Sequence, residues 1–151
     1  MSGAYSFLDV TATISGPGGS VNLAADAGIS DEGILIEAID DKNTMTIGAG
    51  GAGMHNLSAS KAATVKVVLL KTSPTNSKLQ KMFEYQTGSS STHGRNTVTV
   101  RDSARGDLHK CEGVAFKKQP SVGYAKEGAT LEWMFDCIKW TPLLGVGTPA
   151  I

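Results

Sequence analysis

Aromatic side chains are scarce, at 6% of 151 residues, and there are only two cysteines. Cys111 and Cys137 stand outside any C-x-x-C pair, and His109-Lys110-Cys111 has no zinc spacing, which excludes a zinc site and a dithiol redox centre. Met1 to Val10 has neither a basic start nor a long apolar stretch, so no export signal is expected. The two cysteines then read as free buried thiols of a reducing compartment, with a Cys111–Cys137 bridge between adjacent strands as the alternative. No apolar run approaches the roughly 20 residues of a membrane-crossing helix, so no membrane insertion is expected. A charge of one sign is also missing: 14 Lys+Arg face 14 Asp+Glu, which argues against a protein that grips nucleic-acid phosphates. Basic and aromatic residues interleave only at Phe116-Lys117-Lys118 and near Tyr124 and Lys126, which reads as a solvated edge and is too little for a stacking platform.

Catalytic signatures are absent as well. No G-x-S-x-G elbow exists. Gly48-Ala49-Gly50-Gly51-Ala52-Gly53 matches the letters of a dinucleotide fingerprint, but Met54-His55-Asn56 follows it instead of Gly-Lys-Ser/Thr, and the pattern beyond is strand-like. His55 and His93 lie in connections with no partner at ligand spacing. Asp40 and Asp41 point to opposite faces of any strand and make a poor acid/base pair. No enzyme, metal or cofactor is expected.

What is present is enough for one domain over residues 1–151, with 40% hydrophobic and 19% charged residues. The zero balance hides an asymmetry. Residues 1–60 hold seven acids and one base, or −6, and residues 61–151 hold thirteen bases and seven acids, or +6. Such polarity suits a subunit whose acidic part meets the basic part of an identical neighbour, in a head-to-tail contact that closes a ring or continues as a filament.

Alternation predicts strands at Ser6–Ile14, returning at Val21–Leu23 after Gly16-Pro17-Gly18-Gly19, and at Ile34–Ile39, Thr64–Leu70, Asn96–Arg101, Leu108–Phe116 and Thr130–Trp140. Ile34–Ile39 is apolar on both faces, which places it centrally or covered on each side. Ser73 as cap and Pro74 at the first position open one helix over 74–87, with Leu79, Met82, Phe83 and Gln86 as its buried stripe. The segment 40–60 reads as a long loop or arm with a short strand-prone piece at Thr44–Ile47. Thr141–Ile151 reads as irregular. The fold class is therefore mainly β: a sandwich or partly open barrel of six to eight antiparallel strands with one flanking helix.

Several segments together resemble a family of phage tail tube proteins. They are Tyr5–Val10, Ala12–Gly19, Glu37–Gly48, Gly53-Met54-His55, Leu69–Pro74, Ala104–Asp107, Val114–Lys118 and Tyr124–Gly128. The resemblance implies a structural protein of the virion tail, of contractile type, assembled in the bacterial host cytoplasm. It implies hexameric rings stacked into a hollow tube that conducts DNA, with tail sheath, tape-measure, baseplate and tail-terminator proteins as partners. On that reading the inter-subunit or inter-ring arm comprises Asp40, Asp41, Lys42, Asn43, Met45, Gly50, Gly53, Met54 and His55. A conduit that lets DNA slide calls for an acidic or neutral lumen, for which Asp9, Thr11, Thr13 and Glu37 are the candidates. Two other readings remain open: the tube of a phage-like secretion system, and a monomeric β-sandwich binding module.

Overall fold

In the computed structural model, residues 6, 9–23, 29–126 and 130–146 are described. The predicted residues Phe7 and Leu8 of the first strand, and the tail beyond Val146, lie outside them. The elements are β1 (Val10–Gly16), β2 (Gly19–Asn22), β3 (Ile29–Ala38), β4 (Asn43–Ile47), β5 (Gly53–Leu57), β6 (Ala63–Leu70), α1 (Thr75–Thr87), β7 (Asn96–Asp102), β8 (Asp107–Phe116) and β9 (Thr130–Leu143). Among the described residues, seven strands form one antiparallel sheet in the order β2-β1-β7-β8-β9-β6-β3, and β4 pairs only with β5. The sheet curls without closing into a barrel.

Period-two alternation decides which face is inside. On β9, Leu131, Trp133, Phe135 and Cys137 are all buried, and their partners on β6, Val65, Val67 and Leu69, complete the layer. Phe116 of β8 sits among three rings, with centroids 4.9 Å from Phe135, 5.5 Å from Phe83 and 5.9 Å from Trp133. Phe83 brings α1 onto this face, where Leu79 and Met82 are buried. Trp133 Nε1 donates to Asn76 Oδ1 at 3.0 Å, which fixes the helix start against β9. At the other end of α1, Gln86 and Asn96 of β7 exchange two amide hydrogen bonds, and Gln86 Nε2 also donates to Pro17 O. The helix is thus tied to the sheet at both ends.

Two glycines shape the sheet. Pro17 and Gly18 form the β1–β2 turn, with Gly18 at φ +96, as a tight turn with proline first requires. Gly113, at φ +64, is an extra residue on β8 opposite β7. Beyond it the inward set changes parity, so that both Cys111 and Val114 are buried.

The observed elements depart from the sequence expectations in five places. β3 is an edge strand, not a central one: Ile34 and Ile36 pack on the core, while Leu35 and Ile39 are exposed on the other side. Residues 43–57 are not a loop but a two-stranded hairpin, paired from Asn43↔Leu57 to Ile47↔Gly53. His55 therefore stands on a strand. The helix starts at Thr75 with Pro74 as its cap residue, and Ser73 Oγ accepts from the Thr75 amide at 3.3 Å. β9 runs on to Leu143 because its pairing with β8 continues through Leu108↔Leu143.

Candidate assembly interface

The β4–β5 hairpin leaves the sheet between β3 and β6, and every one of its strand residues is exposed. Its root is fastened. Lys42 Nζ donates to the carbonyls of Ser58 and Ser60, Ser60 Oγ donates to Asp40 Oδ2 at 2.6 Å, and Ser58 N donates to Lys42 O at 2.9 Å. Asp40 and Lys42 are thus positioning residues of the arm, while Asp41 is exposed beside them. At the tip, the turn is closed by Gly48 N to Ala52 O at 2.8 Å and Gly51 N to Gly48 O at 3.0 Å, with Gly50 in between.

Register divides the arm into two faces. Asn43, Met45 and Ile47 share one face with Gly53, His55 and Leu57; Thr44 and Thr46 share the other with Met54 and Asn56. The second face satisfies itself, since Asn56 Nδ2 donates to Thr44 O at 2.9 Å and Thr46 Oγ1 at 3.2 Å. On the first face Asn43 Nδ2 donates to His55 Nδ1 at 3.1 Å, which leaves Met45, Ile47 and Leu57 as bare apolar surface, Leu57 at 87% exposure. Sequence reading found Met45, Met54 and His55 but missed Ile47 and Leu57. The two-residue spacing Met45–Ile47, mirrored by His55–Leu57, was the available signal. A lone hairpin is marginal in water, so such a surface is suited to being covered.

The lumen candidates do not come together. Thr11 and Thr13 are exposed on the face of β1 away from the core, and Glu37 is exposed on the same side of the sheet at the far strand, β3. Asp9 lies instead 3.9 Å from Arg105, which also pairs with Asp102 at 3.3 Å. That sheet face is bare of helix and carries the ion pairs Lys66–Glu132 at 3.5 Å and Lys110–Glu112 at 3.7 Å.

The core-side face ends in an apolar cavity of about 520 Å³, where β1, β3, β7, β8 and β9 converge. Val10, Ile34, Ile36, Val100, Trp140 and Leu144 supply its apolar lining. Cys111 and Cys137 are free and buried; burial pushes the Cys111 thiol up to about 12, and that of Cys137 upward too. Among the described residues, no three His, Cys, Asp or Glu side chains are grouped to hold a metal, and no helix is long and apolar enough to cross a membrane.

Residues 1–145 match the model of the Bacteriophage PhiTE tail tube protein family. The chain belongs to this family. Membership of a tail tube family points to a structural role. No curated protein sequence matches it. Its fold is similar to a chain of the tail of an empty GTA particle with C6 symmetry, at TM-score 0.60 and 13% identity over 95% of this chain and 100% of that one. It is also similar to a chain of the PVC sheath–tube complex of an extracellular contractile injection system in the extended state. There the TM-score is 0.52 and the identity 8%, over 88% of each chain. At these identities the likeness concerns the fold alone.

Proposed function

We propose that six copies of this tail tube protein close into a ring, that rings stack through the β4–β5 arm, and that the resulting tube conducts DNA from a phage virion into its host. The observation that carries this reading is the exposed apolar arm on a chain of the tail tube family. Six-fold closure is supported by the C6 symmetry of the similar GTA tail, and a sheath partner by the similar sheath–tube complex. Tape-measure protein inside, baseplate and terminator proteins at the ends, and assembly in the host cytoplasm complete the proposal. An open seven-stranded sheet cannot enclose duplex DNA, because aqueous channels appear only near 16 strands; several copies must share the wall. The bare sheet face with Thr11, Thr13 and Glu37 is the surface proposed to line the channel. Its internally paired charges and hydroxyls suit weak, non-specific passage.

A second reading, the tube of a phage-like injection system delivering other cargo, is favoured by the likeness to the contractile injection system. Neighbouring genes for capsid and tape-measure proteins would separate it from the first. A sugar-binding module fits less well: Trp133 and Phe135 are fully buried, and the exposed Tyr124 ring is capped by Lys71 Nζ at 3.4 Å.

The test is negative-stain electron microscopy of the purified chain with its light-scattering mass. Rings or hollow tubes with a stain-filled channel are expected. A strict monomer at high concentration, unchanged by added baseplate, would refute the reading.

A further inference from the structure

The arm's apolar face and the apolar cavity are both uncovered on the same chain, and their properties match. We infer that Met45, Ile47 and Leu57 of one copy insert into the cavity between Val10, Ile36, Val100, Trp140 and Leu144 of a second copy. This rests on the tube reading and names the surface that receives the arm.

The cavity's polar lining is already engaged within the chain. Trp140 Nε1 donates to His109 Nδ1 at 3.2 Å, Asp107 Oδ1 accepts from Gly145 N at 2.8 Å, and Arg105 holds Asp102 at 3.3 Å. What remains facing the space is mostly apolar, so the fitting occupant is an apolar segment without charge. The arm from Asn43 to Leu57 contains no Asp, Glu, Lys or Arg. Size agrees as well. About 520 Å³ accommodates roughly 17 water-sized atoms at about 30 Å³ each, and the three arm side chains bring four heavy atoms apiece. By contrast, the shallow groove beside Ile39 and Ile138 is rimmed by Lys61, Asp136 and Lys139, whose desolvation an apolar insert would not offset.

Within one chain the arm's strand residues are all exposed and none of them lines the cavity, which points to the cavity of another copy as the host. An insertion into a different surface of the next copy is heterologous, and such contacts repeat without limit unless a ring closes them. Five paired residues give the arm a reach of about 17 Å, enough to bridge to a neighbour.

The test is disulfide trapping between full-length variants, mixed under tube-forming conditions and oxidised in air with a copper catalyst. Ile47→Cys, on the inserting face, and Thr46→Cys, on the opposite face, are each mixed with Leu144→Cys. All three positions are exposed, so the fold is kept. At least tenfold more cross-linked dimer is expected with Ile47→Cys than with Thr46→Cys. Tubes that form with equal trapping from both positions, or with none, overturn the insertion and leave the tube reading standing. Selective trapping in a closed dimer of two exchanged arms supports the insertion and overturns the tube. A chain that stays monomeric overturns both.

Discussion

The buried amide pair between Gln86 and Asn96 is the firmest link between helix and sheet, and its removal has a calculable effect. Both side chains are 1% exposed, and they exchange hydrogen bonds of 2.7 and 2.6 Å, with a third from Gln86 to Pro17 O at 2.8 Å. Gln86→Met keeps the shape but leaves the Asn96 amide and the Pro17 carbonyl without their partner. An orphaned buried group costs about 1–3 kcal/mol, and with the part-buried Pro17 carbonyl at the low end of that range the single variant should lose about 2–4 kcal/mol. For a chain of this size that lowers Tm by about 4–16 °C. The double variant Gln86→Met/Asn96→Leu removes both partners, and replacing two paired polar groups by apolar ones is close to neutral. It should therefore recover at least half of the loss. Urea melts followed by tryptophan fluorescence, arranged as a double-mutant cycle, measure the coupling. A single variant costing under about 0.5 kcal/mol, or a double variant costing the sum of two singles, would refute the account.

Three further outcomes are expected. Deleting residues 48–53 removes the arm's turn and should leave core stability unchanged while stopping tube growth; full-length tubes from that deletion remove the arm from assembly. Glu37→Lys adds a positive charge to the proposed channel wall and should slow DNA ejection measured in assembled virions, and unchanged kinetics would defeat the assignment. Burial, with the Cys137 charge next, holds the folded Cys111 value above the unfolded one. Stability from this thiol is thus fully present below its ordinary value of 9.0 and lost as pH rises toward about 12. The loss reaches at most about 1.4 kcal/mol per pH unit, and the variant Cys111→Val should lack it in urea melts at alkaline pH.

Much of the fold was legible because burial writes itself as alternation. Leu131-Glu132-Trp133-Met134-Phe135-Asp136-Cys137 states its inner face outright, and the helix stripe Leu79, Met82, Phe83 and Gln86 falls on the face that meets Phe116 and Trp133. Two misreadings have one cause. Ile34–Ile39 and Met45–Ile47 carry apolar residues that this chain does not cover, and a sequence pattern cannot distinguish a sheet neighbour from a neighbouring subunit. The hairpin was further hidden because Gly48–Gly53 looks flexible, although backbone hydrogen bonds close it into a turn. The Asp40–Ser60–Lys42 fastening and the amide pair depend on contacts 10 to 20 residues apart, for which the sequence carries no period.

Those uncovered surfaces also explain why a chain with one core can serve a structure far larger than itself. The sheet ends in two edge strands, β2 and β3, each paired on one side, and its bare face exposes Leu35 beside Glu37. Exposed edges are a hazard for a monomer, yet β2 is only four residues long and β3 has an irregular register between Ile29 and Ile34. Both features discourage indiscriminate strand addition. The arm is the opposite case: a regular hairpin, uncharged along its strands, held out by hydrogen bonds at its root. In the proposed tube, growth depends on a preformed element whose ordering entropy is largely spent within the monomer. The proposed stacking takes its specificity from the fit of three side chains instead of from an exposed strand edge.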